Sequence, residues 1–241
     1  MSAGASASRV TEAWKAAFTA NANYRRSRYD LEDEEGDYVS ITRDSWLGVV
    51  LIKSLGSHWG GGLRASTSTS TYNNQRRTIR GGPAIEYNYF PYAESTRRQL
   101  TFRYSAGYNY FDYQEPTIYG KLSEGLMGHS LAIDLDLRQP WGQLGLEALA
   151  SQYLPDTDKN RLRFEANLDV RLFKGFSLAV GADAARIRDQ IFLPAEGATD
   201  AEILLRQRQV ATSYDYRFTV GFSYSFGSVY NNVVNTRLAG Y

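Results

Sequence analysis

The chain has 241 residues and a formal net charge of +1 at pH 7, and this length fits one large β domain or two small ones. A charge so close to zero provides no general attraction to nucleic acid or to an acidic partner. Cysteine is absent, which excludes disulfides, thiol catalysis and cysteine-ligated metal and suits an oxidising compartment. No apolar run reaches the roughly 18 residues of a transmembrane helix, but a membrane β-barrel needs strands that are apolar on one face only.

Apolar and polar side chains alternate in segments that recur along the whole chain, and this period predicts β-strands. The clearest case is RLRFEANLDVRLFKGFSLAVGADA, residues 161–184, where alternation continues on both sides of a short turn. About ten strands are predicted, at residues 10–25, 38–53, 59–72, 78–90, 99–112, 131–138, 143–148, two within 161–184, and 209–226. Many of them are longer than the ~5–6 residues typical of soluble sheets, so strand length favours a bilayer-spanning barrel.

The connections alternate between two kinds. Short or medium ones lie at residues 54–57, 91–98, 139–142 and 173–175, and longer polar ones at 30–37, 73–77, 113–125, 155–160 and 188–208. Short periplasmic turns and long extracellular loops are the layout of an outer-membrane barrel. This layout predicts that both termini lie at the short-turn end. A capping box, Thr199 with Glu202, predicts a short helix in the last long loop.

We divide the chain into three parts. Residues 1–8 are an N-terminal tail or the stub of a lost strand, residues 9–226 a transmembrane β-barrel, and residues 227–241 a C-terminal tail. The first ten residues have no charged start followed by an apolar stretch, so they are not a secretory signal. If the protein is exported, its signal is missing from this sequence.

The alternation leaves open which face of each strand is inside, and three further features favour lipid on the apolar face. The strands are long, and the connections are short at one end of the sheet and long at the other. Aromatic residues cluster toward strand ends, where an interfacial girdle would place them. The girdle candidates are Trp14, Trp59, Tyr89, Tyr110, Trp141 and Tyr224. The final strand, YRFTVGFSYSF, has alternating aromatic residues and ends in Phe226. It is similar in this to the terminal strand by which barrel proteins are recognised for assembly. We therefore expect the charged face to line the lumen.

Charges of both signs then lie on neighbouring strands inside the barrel, which predicts cross-strand ion pairs. The candidate network comprises Arg64, Arg80, Glu86, Arg103, Asp134, Asp136, Arg138, Glu147, Arg161, Arg163, Glu165, Asp169, Arg171, Asp183, Asp215 and Arg217. A barrel of about ten strands is only slightly wider than the eight-stranded type that side chains fill. We therefore expect a plugged lumen.

Few residues suggest chemistry. His129 and Ser130, with Glu124 and Asp112 nearby, could form a hydrolytic site near an extracellular strand end, although no motif supports one. The acidic segment DLEDEEGD, residues 30–37, could bind Ca²⁺ or bridge to lipopolysaccharide through divalent ions, but a solvated loop is the simpler interpretation. His58 is expected at the membrane interface. Arg97 and Arg98 are expected in a solvated turn.

Several motifs together, FPYAESTRRQLTFRY, RQPWG, RLFKGFS, RIRDQIFLP and FGSVYNNVVN, are similar to those of an uncharacterised family of bacterial outer-membrane β-barrels. That family is loosely grouped with the salt-induced outer-membrane proteins, and the similarity runs from about Ser8 to Asn235. The resemblance implies a Gram-negative-type envelope and no established activity. It also implies that a full-length relative has a signal, a small periplasmic domain and about twelve strands.

The sequence therefore predicts an all-β protein, a transmembrane antiparallel up-and-down β-barrel integral to the bacterial outer membrane. Its leading function is structural or anchoring, without enzymatic activity. A narrow channel for small solutes or ions is the alternative, and a loop-borne hydrolase is third. The expected partners are the lipid bilayer, lipopolysaccharide and the barrel-assembly machinery. No nucleic acid, metal or cofactor is expected, and the oligomeric state is left open.

Overall fold

The computed structural model describes residues 1–30, 37–196 and 209–226. Eleven strands form a single sheet in which spatial order equals chain order and all neighbours are antiparallel. They are β1 (Ser2–Val10), β2 (Trp14–Asp30), β3 (Asp37–Ser54), β4 (Trp59–Ser70), β5 (Gln75–Asn88), β6 (Arg98–Tyr113), β7 (Ser123–Gln139), β8 (Gly142–Leu154), β9 (Asn160–Phe173), β10 (Phe176–Ile187) and β11 (Tyr214–Tyr224). The predicted all-β, up-and-down architecture is confirmed. Within the described residues, no helix is long and apolar enough to cross a membrane.

The strand that the periodicity did not reveal is β1. Its sequence, SAGASASRV, consists mostly of small residues that give no contrast between two faces. Ser2 nevertheless pairs with Asn23, and Val10 pairs with Lys15. This added strand carries Met1 to the end of the sheet opposite the short turns, so the prediction that both termini lie at the short-turn end is wrong for the N-terminus.

The two ends of the sheet differ in their connections. At one, here called the turn end, the strands are joined by residues 11–13, 55–58, 89–97, 140–141 and 174–175. At the other, the loop end, the connections include residues 71–74, 114–122, 155–159 and 188–213. The candidate Ca²⁺ loop and the Thr199–Glu202 capping box fall mainly in residues 31–36 and 197–208, which lie outside the described residues.

The sheet is curled around an interior. One cavity of about 1350 Å³ is lined by residues from all eleven strands, including Gly4 of β1 and Asp215 of β11. The two edge strands therefore border the same space, although no pairing between them is found within the described residues.

The register assigns a face to each side chain of β3, whose central segment WLGVVLIK is apolar on both faces. Leu47 and Val49 face outward and are 40% and 45% exposed. Trp46 and Val50 line the cavity. The indole of Trp46 lies against Gly48, where an added Cβ would come within 2.2 Å of the ring. The glycine is therefore required for this placement.

Candidate functional site

The outer face of the curled sheet is apolar and exposed. Large side chains on it include Leu63, Ile79, Tyr108, Leu131, Phe164 and Phe218, each between 43% and 69% exposed. Of the predicted girdle residues, Trp14, Trp59, Tyr89, Trp141 and Tyr224 lie at the turn end and are 43–60% exposed. Tyr110 lies in the loop-end half of β6. Because soluble proteins rarely expose large contiguous apolar areas, this surface requires an apolar environment.

The inner face holds a polar layer near the turn end. Arg103 contacts two carboxylates, Asp134 at 3.3 Å and Glu86 at 3.8 Å. The Asn88 amide donates a hydrogen bond to Glu86 at 3.1 Å, and the hydroxyl of buried Thr101 donates to Asn88. Each member thus has a partner, as buried polar groups require.

The connection between β5 and β6 folds toward the same layer. Tyr92, in a short 3-10 turn (Tyr92–Glu94), donates its hydroxyl to Glu86 at 3.3 Å. Burial, followed by the nearby Glu86 charge, raises the pKa of Tyr92 above its ordinary value. Arg98 bonds to Glu94, and this hydrogen bond holds the pKa of the Glu94 carboxyl below its usual value. His58 hydrogen-bonds to the Asn88 carbonyl from the neighbouring turn, with 2.7 Å between Nδ1 and the oxygen.

The predicted series of cross-strand ion pairs is interrupted across β7 to β10. The register sets four carboxylates opposite one another in a single row: Asp134, Glu147, Glu165 and Asp183. Like charges directly opposite are destabilising, and two arginines offset them. Arg103 contacts one end of the row, while Arg163 contacts Glu165 at 2.8 Å and Asp183 at 3.9 Å. Among the described residues no cluster of His, Asp and Glu has the geometry of a metal site.

Seven of the sixteen network candidates form ion pairs within the described residues. One of the seven, Arg161, pairs at 2.9 Å with Asp189, which is outside the predicted set. The nine without one are Arg64, Arg80, Asp136, Arg138, Glu147, Asp169, Arg171, Asp215 and Arg217. Three of these nine have other side-chain contacts within the described residues. Arg64 donates to Ser105 at 3.1 Å, Arg80 lies 5.6 Å from the centre of the Phe111 ring, and Asp169 accepts from Gln143. The interior is therefore polar but incompletely paired.

An apolar plug, defined here as residues 188–196 with the β6 side chains beneath them, lies across part of the loop end. Ile191, Phe111 and Tyr113 are at most 1% exposed and pack together. Backbone bonds tie the segment to the β6–β7 connection, with Ile118 donating to Leu193 at 2.8 Å and Ala195 donating to Pro116 at 2.8 Å. The segment follows directly from β10, which brings it back across the mouth of the cavity.

Asn74 joins three connections at this plug. Its side-chain amide donates to the carbonyls of Glu115 at 3.0 Å and Phe192 at 3.1 Å, and its side-chain oxygen accepts from the Glu115 N–H at 2.9 Å. The residue is 7% exposed and has a φ of 52°, a left-handed conformation that asparagine tolerates better than most residues. Sequence reasoning missed it, and the Asn73–Asn74 turn signal between two strands was the available clue.

The candidate hydrolytic residues do not converge. His129 is on the outer face of β7 beside the Tyr104 ring, 5.9 Å between ring centres, whereas Ser130 points inward and bonds to Ser105. Glu124 accepts from Tyr113 on the inner face, and Asp112 bonds to Arg76. Alternate residues of a strand face opposite sides, so adjacent positions cannot supply one catalytic site here.

Neither a protein-family model nor a curated protein matches this chain. A solved structure described as a NanC porin in a rhombohedral crystal form covers 93% of this chain and 93% of its own length, with 10% sequence identity and a TM-score of 0.47.

Proposed function

We propose that this protein is an integral β-barrel of a bacterial outer membrane that serves as a structural or anchoring element and has no enzymatic activity. The observation that carries the proposal is the reversal of polarity across the sheet. Outer-facing Leu63, Phe164 and Phe218 are 60%, 45% and 69% exposed, while charged and hydroxyl side chains surround an internal cavity. A soluble protein would have the opposite arrangement.

The dimensions support a membrane-spanning sheet. Strands β2 to β11 have 11 to 18 residues each, and a tilted transmembrane strand needs about 9–11. Exposed aromatic residues at the turn end match the position of an interfacial girdle. The motif resemblance to the salt-induced outer-membrane group agrees with this location and implies no activity.

Side chains at both ends of the interior support an anchor rather than an open pore. The polar layer around Arg103 lies near the turn end, and Ile191 packs on Phe111 and Tyr113 at the loop end. These contacts narrow the route that a solute would take through the sheet. The separation of His129 from Ser130 removes the best hydrolytic candidate, which favours a role without catalysis.

The first test is to refold the chain into detergent, verify the folded barrel by a heat-shifted band on a gel, and record current across planar bilayers. We expect a clear heat shift and no stable conductance steps. Stable steps from the unmodified protein would refute the anchor function. A chain that stays monomeric and folded without detergent would refute the membrane location itself.

A narrow channel is the second candidate, and the cavity of about 1350 Å³ favours it. The cavity is bordered by residues of all eleven strands, several of them charged. This function requires that the polar layer, the plug or both move, which the bilayer recordings detect as intermittent opening.

A further inference from the structure

The outer face carries a second hollow, of about 430 Å³, across β7 to β11. We call it the alanine groove. Its floor consists of Ala148, Ala150 and Ala184. The large side chains around this floor are Leu131, Ile133, Leu162, Phe164 and Tyr214. Its volume falls within the roughly 300–1,000 Å³ of ligand pockets.

The register explains how the groove arises. One row across the strands is Ile133, Ala148, Phe164 and Ala184, and the next row toward the loop end is Leu131, Ala150, Leu162, Arg186 and Tyr214. The rows lie two residues apart, roughly 7 Å. Ala148 and Ala150 of β8 lie between bulky residues of β7 and β9 in both rows, and Ala184 of β10 adds a third small side chain. The depression therefore runs along β8, in the direction that an extended hydrocarbon chain would follow.

Arg186 borders the loop-end side of the groove and gives it a charge. It is the penultimate residue of β10, half-buried, and on the same face as Leu162 and Tyr214. No hydrogen bond or ion pair of its side chain is found within the described residues. An outward arginine is costly at the bilayer midplane, and this cost nearly vanishes near the interface. Its place at the strand end therefore puts the guanidinium at headgroup depth, with its stem along the groove.

An apolar groove that ends in a guanidinium with no partner among the described residues is complementary to a molecule with an acyl chain and an anionic head. Arginine binds phosphate oxygens through two parallel N–H donors, and acyl methylenes pack on leucine, isoleucine and phenylalanine as well as those residues pack on each other. We propose that the alanine groove binds one acyl chain of an anionic membrane lipid whose phosphate contacts Arg186. This proposal rests on the membrane location proposed above.

The test is native mass spectrometry of the refolded protein in a neutral detergent, titrated with dimyristoyl phosphatidylglycerol and with the zwitterionic phosphatidylcholine of the same chains. We expect one phosphatidylglycerol to be retained in preference to phosphatidylcholine. Arg186→Gln should weaken that binding about fivefold, the effect of removing one cation near a headgroup. Ala150→Leu, which fills the floor, should weaken both lipids about tenfold, equivalent to about two methylenes left unburied.

Two matched controls lie on the same face of the sheet but away from the groove. Arg43 is an outward arginine that already lies over the Tyr24 ring, at 5.8 Å from its centre. Ala20 is an outward alanine of β2 opposite Leu47. Arg43→Gln and Ala20→Leu should leave phosphatidylglycerol binding unchanged.

Equal retention of both lipids, or equal losses in Arg186→Gln and Arg43→Gln, would overturn the proposal. A lipid-free dimer that Ala150→Leu separates into monomers would also overturn it, because the groove would then join two copies of this chain. The heat-shift gel separates these outcomes from failure of the membrane location. Folded protein without selective lipid binding refutes the groove alone.

Discussion

Asn74 provides the sharpest test of how the loop end is closed. Asn74→Gly deletes the amide that holds the Glu115 and Phe192 carbonyls and the oxygen that accepts from the Glu115 N–H. Glycine adopts a φ of 52° without steric cost, so the substitution removes side-chain hydrogen bonds without straining the turn. The ladder from β4 to β5 stays in place.

The size of the effect follows from the number of bonds. Each of the three hydrogen bonds contributes about 1 kcal/mol net, so the plug should lose about 3 kcal/mol relative to the rest of the sheet. That free energy corresponds to about a 100-fold larger population of open plug. Phe111, Tyr113 and Ile191 continue to favour closure through apolar contact, so the variant should open locally rather than unfold.

Hydrogen–deuterium exchange measures this opening directly, because exchange of a protected amide reports the local opening equilibrium. Peptides that contain Ile118 and Ala195, whose N–H groups bond across the plug, should exchange about 100-fold faster in Asn74→Gly. Exchange in β7 should not change.

Asn73→Gly is the matched control, since Asn73 occupies the same turn and its backbone N–H bonds to Ser70. It should leave exchange across the plug unchanged. Identical protection in Asn74→Gly and in the unmodified protein would refute the reasoning, because it would mean that apolar packing alone closes the loop end.

Two further substitutions test the sheet and its interior. Gly82→Ala places a Cβ 2.1 Å from a β6 carbonyl oxygen and should abolish the heat-shifted band. Its control, Gly145→Ala, places a Cβ 3.7 Å from the nearest atom and should keep the band. Equal bands in the two variants would contradict the close approach of β5 and β6. Arg103→Met leaves two inward carboxylates without their cation and should lower the free energy of unfolding by about 1–3 kcal/mol, measured by urea titration in detergent. The control is Arg171→Met, at an inward position with no ion pair in the described residues, and it should change the free energy of unfolding by about 0.5 kcal/mol or less. An equal loss in Arg103→Met and Arg171→Met would show that inward charge, and not the ion pair, stabilises the interior.

Strand positions could be predicted from the sequence wherever side-chain contrast was strong. Ten strands follow from period-2 alternation, because a strand with one apolar and one polar face carries its own signal. β1 gave no such signal, since SAGASASRV is small on both faces, and it becomes a strand through its pairing with β2. Because β1 begins at Ser2, the position of the N-terminus also depends on the pairing with β2 and not on local sequence.

Pairing within the interior depended on register, which alternation does not specify. Glu147 alternates correctly with its neighbours, yet the turns between β7, β8 and β9 set it opposite Asp134 and Glu165. A shift of two residues would preserve every face while changing every charged partner. The sequence therefore predicts that Arg103 and Arg163 face inward. It does not predict which carboxylates they contact.

The sequence by itself determined which residues of this protein can form strands and which faces of those strands are apolar, because both properties are local. The tertiary structure decided what lies across the ends of the interior. Ile191 and Leu193 belong to a segment with no period that distinguishes it from a solvated loop, and they are buried because Asn74 and the 114–122 connection hold that segment over the cavity. Contacts between residues as far apart in sequence as Asn74 and Phe192 depend on where the sheet curls. No short stretch of sequence carries that information.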